Sequence, residues 1–259
     1  MQLKLFPALA LVACVLVSCS TYQVNVLSST NTTKDDKTGV FNFENDSVKI
    51  TYSFYGNNAP VSIQVFNKLD KPLYIDWQRS AAIIGDNAVS YMPNQVNILG
   101  SYSGQSYSWQ NRPRSIAGNY SSTSGTVSAV ADLPKTTTFL PPHSQISNVP
   151  ILLTKDRLQL PDSGFRKERV YLFAGDSSMR TNIQVASFVK DNSPFKFKSY
   201  LTLYTQNGNE ITPTAYQHEF FVSKVVNTIT EPYNLPEFQG KRGDFFLNVK
   251  ALPTAEAVN

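Results

Sequence analysis

"SPFKFKSYLTLYT", residues 193 to 205, alternates apolar and polar side chains with a period of two. Phe195, Phe197, Leu201 and Leu203 share one parity, and Lys196, Lys198, Tyr200 and Tyr204 share the other. Successive side chains of a strand leave opposite faces, so the segment reads as a β-strand with one face in a core and one in water. Asn207-Gly208 follows as a hairpin signal, because tight two-residue turns need residues that tolerate positive φ. Tyr216 to Val226 then supplies the returning strand. The fold is therefore read outward from a hairpin.

The same period recurs upstream. Val48, Ile50, Tyr52 and Phe54 oppose Lys49, Thr51 and Ser53, and Val61, Ile63 and Val65 repeat the pattern. "NKLDKP" (67 to 72) carries turn chemistry, after which Leu73, Ile75 and Trp77 resume the alternation. "AAII" and "AVSYM" flank Gly85-Asp86-Asn87 as a second hairpin. Further strand signals lie at Thr137 to Leu140, Ile146 to Leu153, Val170 and Leu172, Ile183 and Val185, and Phe245, Leu247 and Val249. No segment downstream of residue 18 has the period of a helix. The 16 Phe and 13 Tyr, with charged residues at only 16%, suit strands. About ten short strands without crossover helices predict an all-β antiparallel sandwich. Residues 165 to 250 fit either as its completion or as a second small β domain.

The N-terminus reads differently. Lys4, an apolar run from Leu5 to Val17 and Ser18 form the three parts of an export signal. The run is shorter than the ~20 residues of a bilayer span. Leu16-Val17-Ser18-Cys19 resembles a bacterial lipobox, where cleavage precedes a cysteine that takes lipid; Leu11-Val12-Ala13-Cys14 has the same form. Cleavage at Cys14 leaves Val15, Leu16 and Val17 as an apolar overhang, so Cys19 is favoured. The signal then covers 1–18, and both cysteines of the chain leave the thiol pool. That removes disulfides, thiolate metal sites and a cysteine nucleophile together. Tyr22, Val24 and Val26 suggest a short strand close to Cys19. "LSSTNTTKDDKTG" (Leu27 to Gly39) then reads as a polar tether, giving a lipidated N-terminal segment over 19–39. The sandwich is expected over 40–250, with a tail at 251–259.

"CSTYQV", "NKLDKPLYIDWQRSAAI", "LPPHSQIS" and "KDNSPFKFKSYLTLYT…HEFFVSKV" resemble segments of uncharacterised outer-membrane lipoproteins of Bacteroidota. The resemblance covers most of the chain after Cys19. It implies an Ig-like β-sandwich in the cell envelope and carries no catalytic residues. Surface-exported relatives in that group resemble one another in acidic residues after the cysteine. Here Ser20-Thr21-Tyr22-Gln23 follows, which favours the periplasmic face of the outer membrane.

Catalytic motifs are weak throughout. "FAGDSSM" (Phe173 to Met179) resembles the nucleophile block of SGNH-type esterases, with Ser177 as the nucleophile. Such a serine needs a histidine base, and the family's Asp-x-x-His is absent, since Leu140 and Ala215 stand three before His143 and His218. "QHEFF" (Gln217 to Phe221) begins like a His-Glu-x-x-His zinc site, but Val222 replaces the second histidine and the segment alternates like a strand. Arg242-Gly243-Asp244 reads as a turn before a strand. No cofactor or metal is expected. The net charge of +4 falls to +3 once Lys4 is removed, and no basic stripe suits nucleic acid.

Residues from about 99 to 135 break the alternation with a Ser/Tyr/Gly-rich insertion. Tyr102, Tyr107, Trp109 and Tyr120 amid Ser and Gly have a paratope-like composition, and Arg112 and Arg114 add charge-assisted contacts. These six form the candidate binding set. The expected function is a non-enzymatic binding or scaffolding module, anchored in the membrane by lipid and engaging an envelope protein. Carbohydrate capture on the aromatic faces is the alternative. A serine hydrolase ranks below both.

Overall fold

The computed structural model describes residues 20–92, 136–149, 151–172 and 179–250, with the backbone alone at 97–99, 104–108, 119–123, 130–132 and 251. In chain order the strands begin β1 (Ser20–Ser29), β2 (Thr33–Lys34), β3 (Phe41–Glu44), β4 (Val48–Ser53), β5 (Ser62–Asn67), β6 (Leu73–Ile84) and β7 (Asn87–Ser90). Next come β8 (Asn97–Leu99), β9 (Gly104–Ser108), β10 (Asn119–Thr123), β11 (Val130–Asp132), β12 (Thr137–Leu140) and β13 (Gln145–Asn148). β14 (Arg166–Tyr171), β15 (Arg180–Ser187), β16 (Lys196–Asn207), β17 (Glu210–Thr228) and β18 (Phe245–Ala251) follow. Among the described residues there is no α-helix.

Two antiparallel sheets pack face to face. The smaller runs β13-β5-β4-β3-β2, and the larger runs β12-β6-β16-β17-β1-β18, with β7 on β6 and the β14–β15 hairpin on β17. The alternating residues meet between them: Ile50 and Tyr52 of β4, Ile63 and Val65 of β5, Phe197 and Leu201 of β16, and Phe220 of β17 are all buried. Phe220 is the hub, with ring centroids of Phe54, Tyr52 and Phe197 at 5.0, 5.1 and 5.1 Å. Each such aromatic pair adds about 1 kcal/mol beyond its buried area. The antiparallel sandwich expected from the period-two segments is the observed fold.

The hairpin read at Asn207-Gly208 is present with its turn one residue later. Asn207 pairs with Glu210, so Gly208 (φ +58°) and Asn209 form the loop. Gly85 (φ +59°) takes the same first position between Ile84 and Asn87. Residues 165 to 250 complete one sandwich, because β16 pairs with both β6 and β17, and β15 pairs with β17.

The tether is overturned. β1 lies between β17 and β18, Leu27 is fully buried, and Ser28 and Ser29 pair with Phe221 and Phe220. Beyond it, the Asp35 carboxylate accepts the N–H groups of Lys37 and Thr38, 3.1 and 2.7 Å away, which hold its pKa low. Gly39 (φ +70°) packs against Asp244. Polar composition here reflects turn chemistry and ladder hydrogen bonding, which polar residues supply as well as apolar ones. The insertion also contains paired strands, β8 with β11 and β9 with β10.

A second core covers the outer face of the larger sheet at one end. Val24, Ile183, Val185, Val226 and Phe245 are buried beneath Leu235 and Phe238. Those two residues come from a strap containing short 3-10 turns at Pro232–Asn234 and Pro236–Phe238.

Candidate functional site

Where β1 begins, the interior changes from apolar to polar. Asn25 Nδ2 donates to Asn248 Oδ1 at 2.9 Å, and Asn248 Nδ2 donates to Asn58 Oδ1 and Thr154 Oγ1, both at 3.1 Å. Asn25 Oδ1 is buried without a partner. Nearby, Gln23 acts as a side-chain strand pair for the 151–165 connection. Its Nε2 donates to the Leu158 carbonyl at 3.1 Å, and the Leu158 N–H donates to Gln23 Oε1 at 2.8 Å. A cleft of about 510 Å³ opens above this row, lined by Gln23, Asn58, Asn227 and Asn248 together with charged residues of the connection.

Arg157 borders that cleft and a second one of about 740 Å³. Its guanidinium donates to Thr21 Oγ1 at 2.9 Å and to Asn227 Oδ1 at 2.8 Å. Both acceptors are neutral, and among the described residues no carboxylate lies within ion-pair distance of Arg157. Partial burial lowers its pKa. A partly desolvated cation bonded only to neutral groups attracts an anionic group, although Asp162 also lines both clefts. The carboxamides offer donors and acceptors to hydroxyl-rich or peptide groups.

The chain matches no family model, no curated protein and no solved structure.

Of the insertion residues, Tyr107 of β9 and Tyr120 of β10 are register partners in one hairpin. Tyr102, Trp109, Arg112 and Arg114 lie outside the described residues, as do Cys19 and Ser177. Ser20, the residue after Cys19, is already in β1 and pairs with Ala251.

The histidines are structural in their contacts. His218 is buried in β17, where its Nδ1 meets the Tyr52 hydroxyl at 2.9 Å. Tyr91 donates to Ser199 Oγ at 2.9 Å, and Ser199 donates to the Tyr52 hydroxyl at 3.2 Å, so a four-member chain ends on that ring. Burial lowers the His218 pKa to about 4. His143 is exposed and bonds Asp70 at 2.8 Å. Among the described residues no group of three His, Cys, Asp or Glu side chains is placed to hold a metal.

Asp244 of the Arg-Gly-Asp tripeptide is buried, accepting Arg242 Nε at 3.2 Å and Nη2 at 2.8 Å, with Lys34 Nζ at 3.3 Å. The motif is a turn that ties the start of β18 to residues 34 to 38. Sequence reading missed Gln23, Asn58, Arg157, Asn227 and Asn248. They are single polar residues scattered over 225 positions, from 23 to 248, and only strand pairing gathers them.

Proposed function

We propose that this protein is a lipid-anchored cell-envelope protein, held at the outer membrane through Cys19, that acts by binding or scaffolding. One observation carries the reading. The lipobox-like Leu16-Val17-Ser18-Cys19 stands directly before Ser20, the first residue of a strand bonded on both sides. A lipid there would hold the whole larger sheet. The resemblance to Bacteroidota lipoproteins supports the same compartment, and the non-acidic residues after Cys19 favour the periplasmic face.

The test is fractionation of cells expressing the full chain or Cys19→Ala, beside protease treatment of intact cells. Membrane association that depends on Cys19, with protection from protease, is expected. Association that survives Cys19→Ala sinks the anchor, and cleavage in intact cells moves the protein to the surface. A pull-down from detergent-solubilised membranes then checks the scaffold, with a stable complex expected.

A second reading, carbohydrate capture, is favoured by the register pairing of Tyr107 with Tyr120, which brings two aromatics of the insertion to one hairpin level. Retention on glycan columns that is lost in Tyr107→Ala and Trp109→Ala variants would put this reading first.

A further inference from the structure

The lipid anchor and the sandwich are separated by a single peptide bond. With Ser20 paired to Ala251 and Tyr22 to Thr228, the strand starts at the residue that follows Cys19 in the sequence. Lipid chains on Cys19 then leave the sandwich little room to stand away from the bilayer, so one particular end must meet the headgroups.

That end has a suitable surface. Ile229, 70% exposed, follows directly on β17, whose last residue Thr228 pairs with Tyr22. The β14–β15 hairpin reaches the same end, since Gln184 and Val185 pair with Asn227 and Val226. Its last ladder pair, Tyr171 and Arg180, lies beyond them, and Thr181 Oγ1 bonds Thr230 Oγ1 at 3.0 Å. Tyr171 and Met179 are exposed there, and the Arg180 guanidinium sits 4.6 Å from the Tyr171 ring centre. Tyrosine rings and the long stems of Lys and Arg are each favoured at membrane interfaces.

Charge agrees. Lys155, Arg157, Lys167, Arg169, Arg180 and Lys250 surround this end, against Asp156, Asp162, Glu168 and Glu231. Arg157 bonds Thr21, two residues from Cys19, and among the described residues no carboxylate lies within ion-pair distance of it. A basic rim around exposed apolar side chains complements an anionic lipid surface.

We propose that the end of the sandwich carrying Ser20 is a membrane-seating face, lying against anionic headgroups with Ile229, Tyr171 and Met179 in the interface. This rests on the lipid anchor at Cys19. The face orients the sandwich, and the Arg157 clefts then open at the bilayer surface.

The test uses the processed, lipidated chain reconstituted into vesicles of phosphatidylcholine, with or without phosphatidylglycerol. With Cys19 in thioether linkage, Ile229→Cys and Val189→Cys each provide one thiol for an environment-sensitive fluorophore. Flotation reports the anchor, and emission reports the face. Expected are flotation of both variants and a blue-shifted, quencher-protected signal at 229 alone, stronger with phosphatidylglycerol. Changing Lys167, Arg169 and Lys250 to Gln lowers the seated-to-unseated ratio roughly fivefold per cation. Flotation with a hydrated label at 229 in both lipids overturns the seating face and leaves the anchor standing. Failure to float overturns both.

Discussion

The Tyr52 hydroxyl of the smaller sheet lies 2.9 Å across the sandwich from Nδ1 of His218 in the larger one and, since it accepts from Ser199, has its own proton to donate to that nitrogen. The acceptor role requires the ring to be neutral at that nitrogen, and burial lowers the His218 pKa from 6.5 to about 4. Between those two values the unfolded chain binds a proton that the folded chain refuses. Stability from this site is therefore complete above pH 6.5 and is lost as pH falls toward 4. The loss amounts to about 3 kcal/mol over the window. Denaturant titrations of wild type and His218→Gln at pH 7.5 and 4.5 check it. The wild type should lose more stability on acidification, whereas equal losses would remove His218 as the cause.

Position in the Tyr91–Ser199–Tyr52–His218 chain sets the cost of breaking it. Tyr91→Phe removes only the terminal donor to Ser199 and should cost about 1 kcal/mol. Tyr52→Phe strands the Ser199 hydroxyl and the His218 nitrogen together, at about 2–3 kcal/mol. Unfolding free energies of the two variants, measured side by side, decide the order. The reverse order would mean that the chain is not the stabilising unit.

Gly39 and Gly208 share the sign of φ, at +70° and +58°, but not their surroundings. Alanine at 208 meets open space and carries only the left-handed backbone cost of about 1–2 kcal/mol. At 39 the added Cβ meets the Asp244 carboxylate and its backbone nitrogen, which hold Arg242 and Lys34. Gly39→Ala should therefore cost about 3 kcal/mol or more. Melting temperatures of both variants test this, and similar shifts would refute the packing at Gly39.

Phe238 seals the outer face, its ring centroid 5.4 Å from that of Phe245. Phe238→Ala should uncover Val24, Val185 and Val226 and cost about 3 kcal/mol. Hydrogen exchange should rise first in β14 and β15, which lean on this cluster. Unchanged protection there would show that the strap is dispensable.

Much of the larger architecture was legible because period-two alternation records directly which side chains face a core. Lys196 to Asn207, Val48 to Ser53 and the Gly85 and Gly208 turns could be read this way. The reading failed at Leu27 to Gly39. There the order comes from backbone bonds to residues far along the chain, such as Leu27 N–H to the Asp244 carbonyl at 2.7 Å, and composition carries no trace of such bonds. The second core under Phe238 was hidden for a similar reason, since a strand covered on both faces near one end still alternates in sequence.

The residues alone determined that the chain is an antiparallel β protein with a lipobox-like segment at Cys19, because side-chain period and short motifs are local. Tertiary structure alone decided that the strand after Cys19 sits inside the larger sheet, and that Gln23, Asn58, Arg157, Asn227 and Asn248 share one end. Strand pairing sets those neighbours. It depends on register between distant segments, which no local window of sequence contains.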